Sequence, residues 1–270
     1  MRVRFYILMM LFIIALVAAA ILPSIPQPLS YHELIDQRSF LGVPNFLNVA
    51  SNLIFLLVGI VGLVFLRRVR VLPSQKTFTV LAECWPYLIV FLSAIMVSVG
   101  SAYYHWEPEN STLFWDRLPI AMGVMGLLAA TVTERIDIRQ GLQWLPVLVM
   151  IGMASVVYWY WSEQQGAGNL NFYIAVQFFS ILLIVLLAIL FPSRYTRGAD
   201  IYMVIFLYGL AKLAEMLDEE IYHFGQIVSG HTLKHLLAAL AIYWILRMLK
   251  KRRLLERFDQ ADQKGKVIDV

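Results

Sequence analysis

At 270 residues, 60% hydrophobic and 15% charged, with a mean hydropathy of +0.70, the chain is too apolar for a water-soluble globule and reads as an all-α integral membrane protein. Its net charge of +4 does not mark a nucleic-acid binder, because the positive residues gather in clusters that flank apolar runs. The single cysteine, Cys84, excludes an intrachain disulfide and a thiolate metal cluster and is read as helix-end filler.

The chain opens MRVR and then runs apolar from Phe5 to Leu22. Ala18-Ala19-Ala20 suits a signal-peptide cleavage point, but a run of about 18 residues is long for a signal core and can span a bilayer, so a retained helix is expected. Pro23, Pro26, Pro28 and Pro44 then break the chain into an outer loop, completing an N-terminal region over 1–45. Seven apolar runs follow within 46–250: Phe46 to Leu66, Pro86 to His105, Asp116 to Thr133, Leu142 to Trp161, Leu170 to Phe191, Ile201 to Leu217 and His231 to Leu249. Each can cross ~30 Å of hydrocarbon at 1.5 Å per residue, which predicts a seven-transmembrane-helix bundle plus one extra N-terminal helix. Residues 251–270 form a polar tail.

Orientation follows from the positive charges. Arg2 and Arg4, Arg67 to Lys76, Arg135 and Arg139, Arg194 and Arg197, and Arg247 to Lys266 fall at alternate ends of the runs and are placed in the cytoplasm, with the C-terminus. The opposite loops carry Glu107, Glu109, Glu163, Asp218, Glu219 and Glu220. Trp85, Trp106, Trp115, Trp159 and Trp161 read as interfacial anchors.

That topology gathers five polar residues on the non-cytoplasmic side. Ser101 and His105 end one predicted helix, Asp116 opens the next, and His231 and His235 stand one turn apart at the start of the last. Three imidazoles make a zinc site with a fourth position for water, whose pKa the ion lowers to about 7. Asp116 can take the proton from that water and return it to a leaving nitrogen, and Ser101 can donate to a developing oxyanion. Metal-assisted hydrolysis of an amide or ester in a lipid is the reaction that fits. Lys212 and Glu215 are spaced for an in-helix ion pair, Asp218 is positioned to orient a ligand imidazole, and His32 and His223 are expected to be ordinary.

Ser-x-x-x-His, an Asp eleven residues after that His, and a late His-x-x-x-His resemble the signature of the alkaline ceramidase family. Its wider superfamily of seven-helix membrane hydrolases includes the adiponectin and progestin receptor group. Asn48-Val49-Ala50-Ser51-Asn52 resembles the Asn-x-x-Ser-Asn run that opens the family's first helix, and the resemblance covers about Tyr31 to Leu249. It implies Zn2+ on His105, His231 and His235, catalytic Ser101 and Asp116 beside it, and hydrolysis of ceramide to sphingoid base and fatty acid on the outer side. Calcium is the family's second ion, but its Asp-Trp-x-Glu segment is missing here, and Glu33, Asp36, Asn45 and Asn48 stand in its place. The extra N-terminal helix is a second departure, and the compact loops suggest a bacterial inner-membrane member acting on ceramide or another acylated lipid. A receptor-like or scaffold protein with a structural zinc site is the alternative.

Overall fold

The computed structural model describes residues 2–71 and 77–256; Lys76 and the tail from 257 onward lie outside the described residues. Regular structure among them is helical: α1 (Arg2–Ile21), α2 (Phe46–Ala50), α3 (Leu53–Val71), α4 (Cys84–Trp106), α5 (Asn110–Arg135), α6 (Ile138–Gln164), α7 (Asn171–Ile174), α8 (Ser180–Leu190), α9 (Asp200–Met216), α10 (Asp218–Gly225) and α11 (Gly230–Lys251). Among the described residues six stretches are long and apolar enough to cross a membrane: Phe46–Val71, Leu81–Trp106, Asn110–Arg135, Ile138–Gln164, Asn171–Leu190 and Gly230–Lys251. One further apolar helix is shorter, Tyr6–Ile21 within α1, and α9, at 17 residues, carries Asp200, Lys212 and Glu215. Seven spans were expected after the N-terminal helix; six have the length and composition.

Three of the spans are not continuous α-helix, the second opening with a 3-10 turn over Leu81–Glu83. Between α2 and α3 the Asn48 carbonyl accepts from the side chains of Ser51 (3.1 Å) and Asn52 (2.8 Å), and such local bonds bend a helix by competing with its ladder. Between α7 and α8 the residues Ala175–Phe179 form a π-turn. Helix α5 is the centre of the bundle, with its run from Met125 to Arg135 almost wholly buried against α4, α6 and α8. Outward faces carry large exposed apolar side chains such as Leu57, Val64, Met150 and Val157, which suits a surface that meets lipid. Helix α1 lies outside α7 and α8, with Phe12 stacked on Phe179.

Two local features hold the ends that matter for function. At one end of the bundle Arg252 pairs with Glu134 at 3.1 Å and stacks over Tyr195 at 4.1 Å, fastening the end of α11 to α5 and to the loop after α8. At the other end α4 and α5 meet backbone to backbone. Pro119 has no N–H for the Trp115 carbonyl, and that oxygen lies where a Cβ on Gly100 would come within 2.0 Å of it. Only a residue without a side chain allows this approach, which brings Ser101 beside Asp116. Gly100→Ala is therefore expected to force the helices apart at a cost of about 1–3 kcal/mol, seen as a lower melting temperature.

Candidate metal centre and cavity

Helix α5 begins six residues earlier than the apolar pattern suggests, because Thr112 Oγ1 accepts the Glu109 N–H at 3.2 Å and closes a first turn of polar residues. Asp116 accordingly sits in the second turn, buried, and accepts a hydrogen bond from the Ser101 hydroxyl. His105, in the last turn of α4, is 0% exposed. His231 and His235 stand in the first two turns of α11, which starts sharply because the Ser229 side chain accepts from the Thr232 N–H at 3.1 Å. Gly230 lets this start press against α9, since a Cβ there would come within 2.1 Å of the Ala214 carbonyl.

The three imidazoles meet. Their ring centroids are 4.7 Å (His105 to His231), 4.9 Å (His105 to His235) and 5.0 Å (His231 to His235) apart. One ligand nitrogen from each lies within 4.8 Å of the others, and all three side chains are buried.

Hydrogen bonding assigns the protons. The one Ser51 hydroxyl proton goes to the Asn48 carbonyl, so at 2.7 Å from His235 Nδ1 the same hydroxyl accepts. That puts the His235 proton on Nδ1 and leaves Nε2 bare, 3.2 Å from His105 Nε2. The Lys234 ammonium, which can only donate, lies 3.1 Å from His231 Nε2, so this nitrogen carries no proton and its lone pair accepts from Lys234, a bond that a metal ion on the same nitrogen would displace. His105 Nδ1 is buried without a partner. Three buried imidazoles with ligand nitrogens this close could hold a metal ion, and neutral imidazole suits several transition ions. Ser51→Ala removes the acceptor that sets the His235 tautomer and is expected to weaken metal binding by about 10–100-fold in a chelator-competition titration.

His235, Ser101 and Asp116 also line a cavity of about 170 Å³ between α4, α5, α8, α9 and α11. For scale, an apolar cavity of about 150 Å³ holds a benzene molecule. Its lining extends about ten residues down each of three helices, from Ser101 to Val90, from Asp116 to Leu127 and from His235 to Ile245. That is roughly 16 Å, or half of the ~30 Å hydrocarbon core. The lower walls are apolar, and the charged lining residues, Asp116, Lys212 and Lys234, sit at the histidine end.

Several polar residues have other partners than their spacing suggested. Asp218 accepts the backbone N–H of His231 at 2.7 Å and orients the helix start rather than a ring; burial raises its carboxyl above the ordinary range. The imidazole orienter is Ser51, legible only through the Asn-x-x-Ser-Asn resemblance. Lys212 pairs with Glu215 at 2.7 Å as its spacing predicts, but the other oxygen of Glu215 holds Lys234 at 2.7 Å, a residue the sequence reading left without a role.

His32 bridges Tyr104 (3.2 Å) and Asn110 (3.0 Å), and His223 lies exposed near Glu219. Arg117 donates to Gln27 at 2.6 Å and lies against the rings of Trp159 (4.3 Å) and Tyr173 (4.9 Å), tying the outer loop to the bundle. Of the residues standing in for a calcium segment, Asp36 is held by Arg38 at 2.8 Å, which lowers its carboxyl below the ordinary range. Asn45 donates to the His105 carbonyl at 2.8 Å, and Asn48 accepts from Thr232 at 2.8 Å. Neither a protein-family model nor a curated protein matches this chain.

Proposed function

We propose that the chain is a zinc-dependent membrane hydrolase that cuts the amide bond of ceramide or a related N-acyl lipid. The observation that carries this reading is the three-histidine cluster, one member of which, His235, lines the polar end of a cavity about one leaflet deep together with a hydroxyl and carboxylate pair. The 3.2 Å between His105 Nε2 and His235 Nε2 is compatible with zinc, whose bonds of about 2.0–2.1 Å at tetrahedral angles set ligand nitrogens about 3.3 Å apart. In this reading α9 is a seventh, short span beside the six long ones, and the cluster is taken, from the positive-inside distribution of the sequence, to face the non-cytoplasmic side.

The ion, when bound by His105, His231 and His235, supplies a positive charge that acidifies water and polarises an acyl carbonyl. The remaining work falls to side chains. Asp116 takes a proton from the attacking water and delivers it to the amide nitrogen as the carbon–nitrogen bond breaks, so a free amine and a carboxylate leave. Ser101, donating to Asp116, fixes the carboxylate that moves the proton. The apolar lower cavity takes the acyl chain and keeps bulk water from the carbonyl.

Purified protein in mixed micelles is expected to release fatty acid from an N-acyl lipid, to stop when a chelator strips the metal, and to resume on adding zinc. Hydrolysis that survives complete metal removal contradicts the reading. Bound zinc with no hydrolysis of any acylamide favours the scaffold alternative.

A further inference from the structure

The wall of the cavity formed by α9 and α11 is made of donors. Glu215 spends one carboxylate oxygen on Lys212 and the other on Lys234, each at 2.7 Å. Of the three N–H donors on each ammonium, Lys212 commits one to Glu215, while Lys234 commits one to Glu215 and one to His231 Nε2. Tyr208 lies in the same wall, one turn below Lys212, and its oxygen accepts from Gln177 Nε2 at 3.1 Å, which leaves its own O–H to donate. Spare donors from three side chains thus face the cavity beside the histidine cluster; Glu215 behind them is occupied, and Asp116 on α5, which accepts from Ser101, is the other carboxylate of the lining.

A neutral amide needs no such wall. Ceramide offers hydroxyls, which donate as well as accept, and gives no return for the half-buried ammonium of Lys234 or the partly exposed one of Lys212. A carboxylate is acceptor-only and matches a donor-only wall. In an N-acyl amino acid that carboxylate is one carbon from the scissile nitrogen, so it lies beside the histidines when the carbonyl does, as Lys234 does.

We infer that Lys212, Lys234 and Tyr208 form a carboxylate subsite, and that the preferred substrates are acyl lipids with a carboxylate next to the amide, the N-acyl amino acids, rather than neutral ceramides. This rests on the hydrolase reading for its chemistry but concerns binding, and binding can be tested without turnover. The probes are N-dodecanoyl glycine, the neutral N-dodecanoyl ethanolamine and dodecanoate, titrated onto the zinc-loaded Asp116→Asn protein in detergent.

N-dodecanoyl glycine is expected to bind at least tenfold more tightly than the ethanolamine. That gap should shrink to within about twofold in Lys212→Met, and should narrow in Tyr208→Phe, which deletes a single hydroxyl and leaves the ring packing in place. Equal binding of the charged and neutral amides overturns the subsite. So does a gap that persists in both variants. Dodecanoate binding as tightly as N-dodecanoyl glycine, with the same dependence on Lys212, assigns the wall to the released product and overturns the substrate preference. The hydrolase reading stands or falls separately, on whether the unmodified chain cleaves either amide.

Discussion

Asp116→Asn is expected to keep one metal ion per chain and to lower kcat for N-acyl lipid hydrolysis by about 10²–10⁴-fold, the range of a lost general base. The substitution preserves shape, and the amide oxygen can still accept from Ser101, so α4 and α5 stay in register. What disappears is the group able to take a proton from water and return it to the leaving nitrogen. Asp116 also faces the charges of Lys234 and Arg117, so melting should be followed alongside kinetics to separate a chemical loss from a structural one. Metal content by elemental analysis and kcat measured on the same preparation decide the matter. A variant that turns over at the unmodified rate removes Asp116 from the proton path.

His231→Ala/His235→Ala is expected to lose the metal and a share of the stability together. Truncating buried imidazoles leaves space that the bundle cannot fully close, and Ser51 and Lys234 each lose a partner; about 2–4 kcal/mol is the scale for one such site. Metal adds its own contribution, because an ion that binds only the folded chain stabilises it by about 4 kcal/mol at a thousandfold excess over its Kd. Thermal melting with and without chelator separates the two. The unmodified protein should melt lower once stripped, whereas the double variant should start lower and not respond to chelator. An unmodified protein indifferent to chelator, and holding no metal by elemental analysis, removes the metal centre itself.

The bundle was largely legible because lipid imposes a coarse rule: each crossing must be long and apolar, and runs such as Leu142 to Trp161 announce themselves by composition. The gathering of His105, His231 and His235 was legible for a related reason, since alternating helices return every second end to the same side. Finer features were not. The Lys234–Glu215 pair joins α9 to α11 across the short helix α10 and a loop, and no helical spacing in the sequence connects residues so placed.

Ser51 belongs to a stretch whose role depends on a helix break between α2 and α3, which follows from where Ser51 and Asn52 find their acceptor. Asp218 was assigned to a ring and instead holds a backbone N–H, a choice between two groups of one residue that only coordinates distinguish. The polar first turn of α5 escaped a reading based on apolarity, because Asn110, Ser111 and Thr112 are helical through capping.

Arg252 fastens one end of α11, and Ser229, Asp218 and Asn48 fasten the other. In mechanical terms the helix is a beam clamped at both ends, able to flex slightly along its length but not to swing. Two of the three imidazoles ride on that beam within a turn of its clamp, and the third is braced through Asn45, which holds the His105 carbonyl. A metal ion held by the three imidazoles would therefore meet ligands whose backbones are already anchored on both helices.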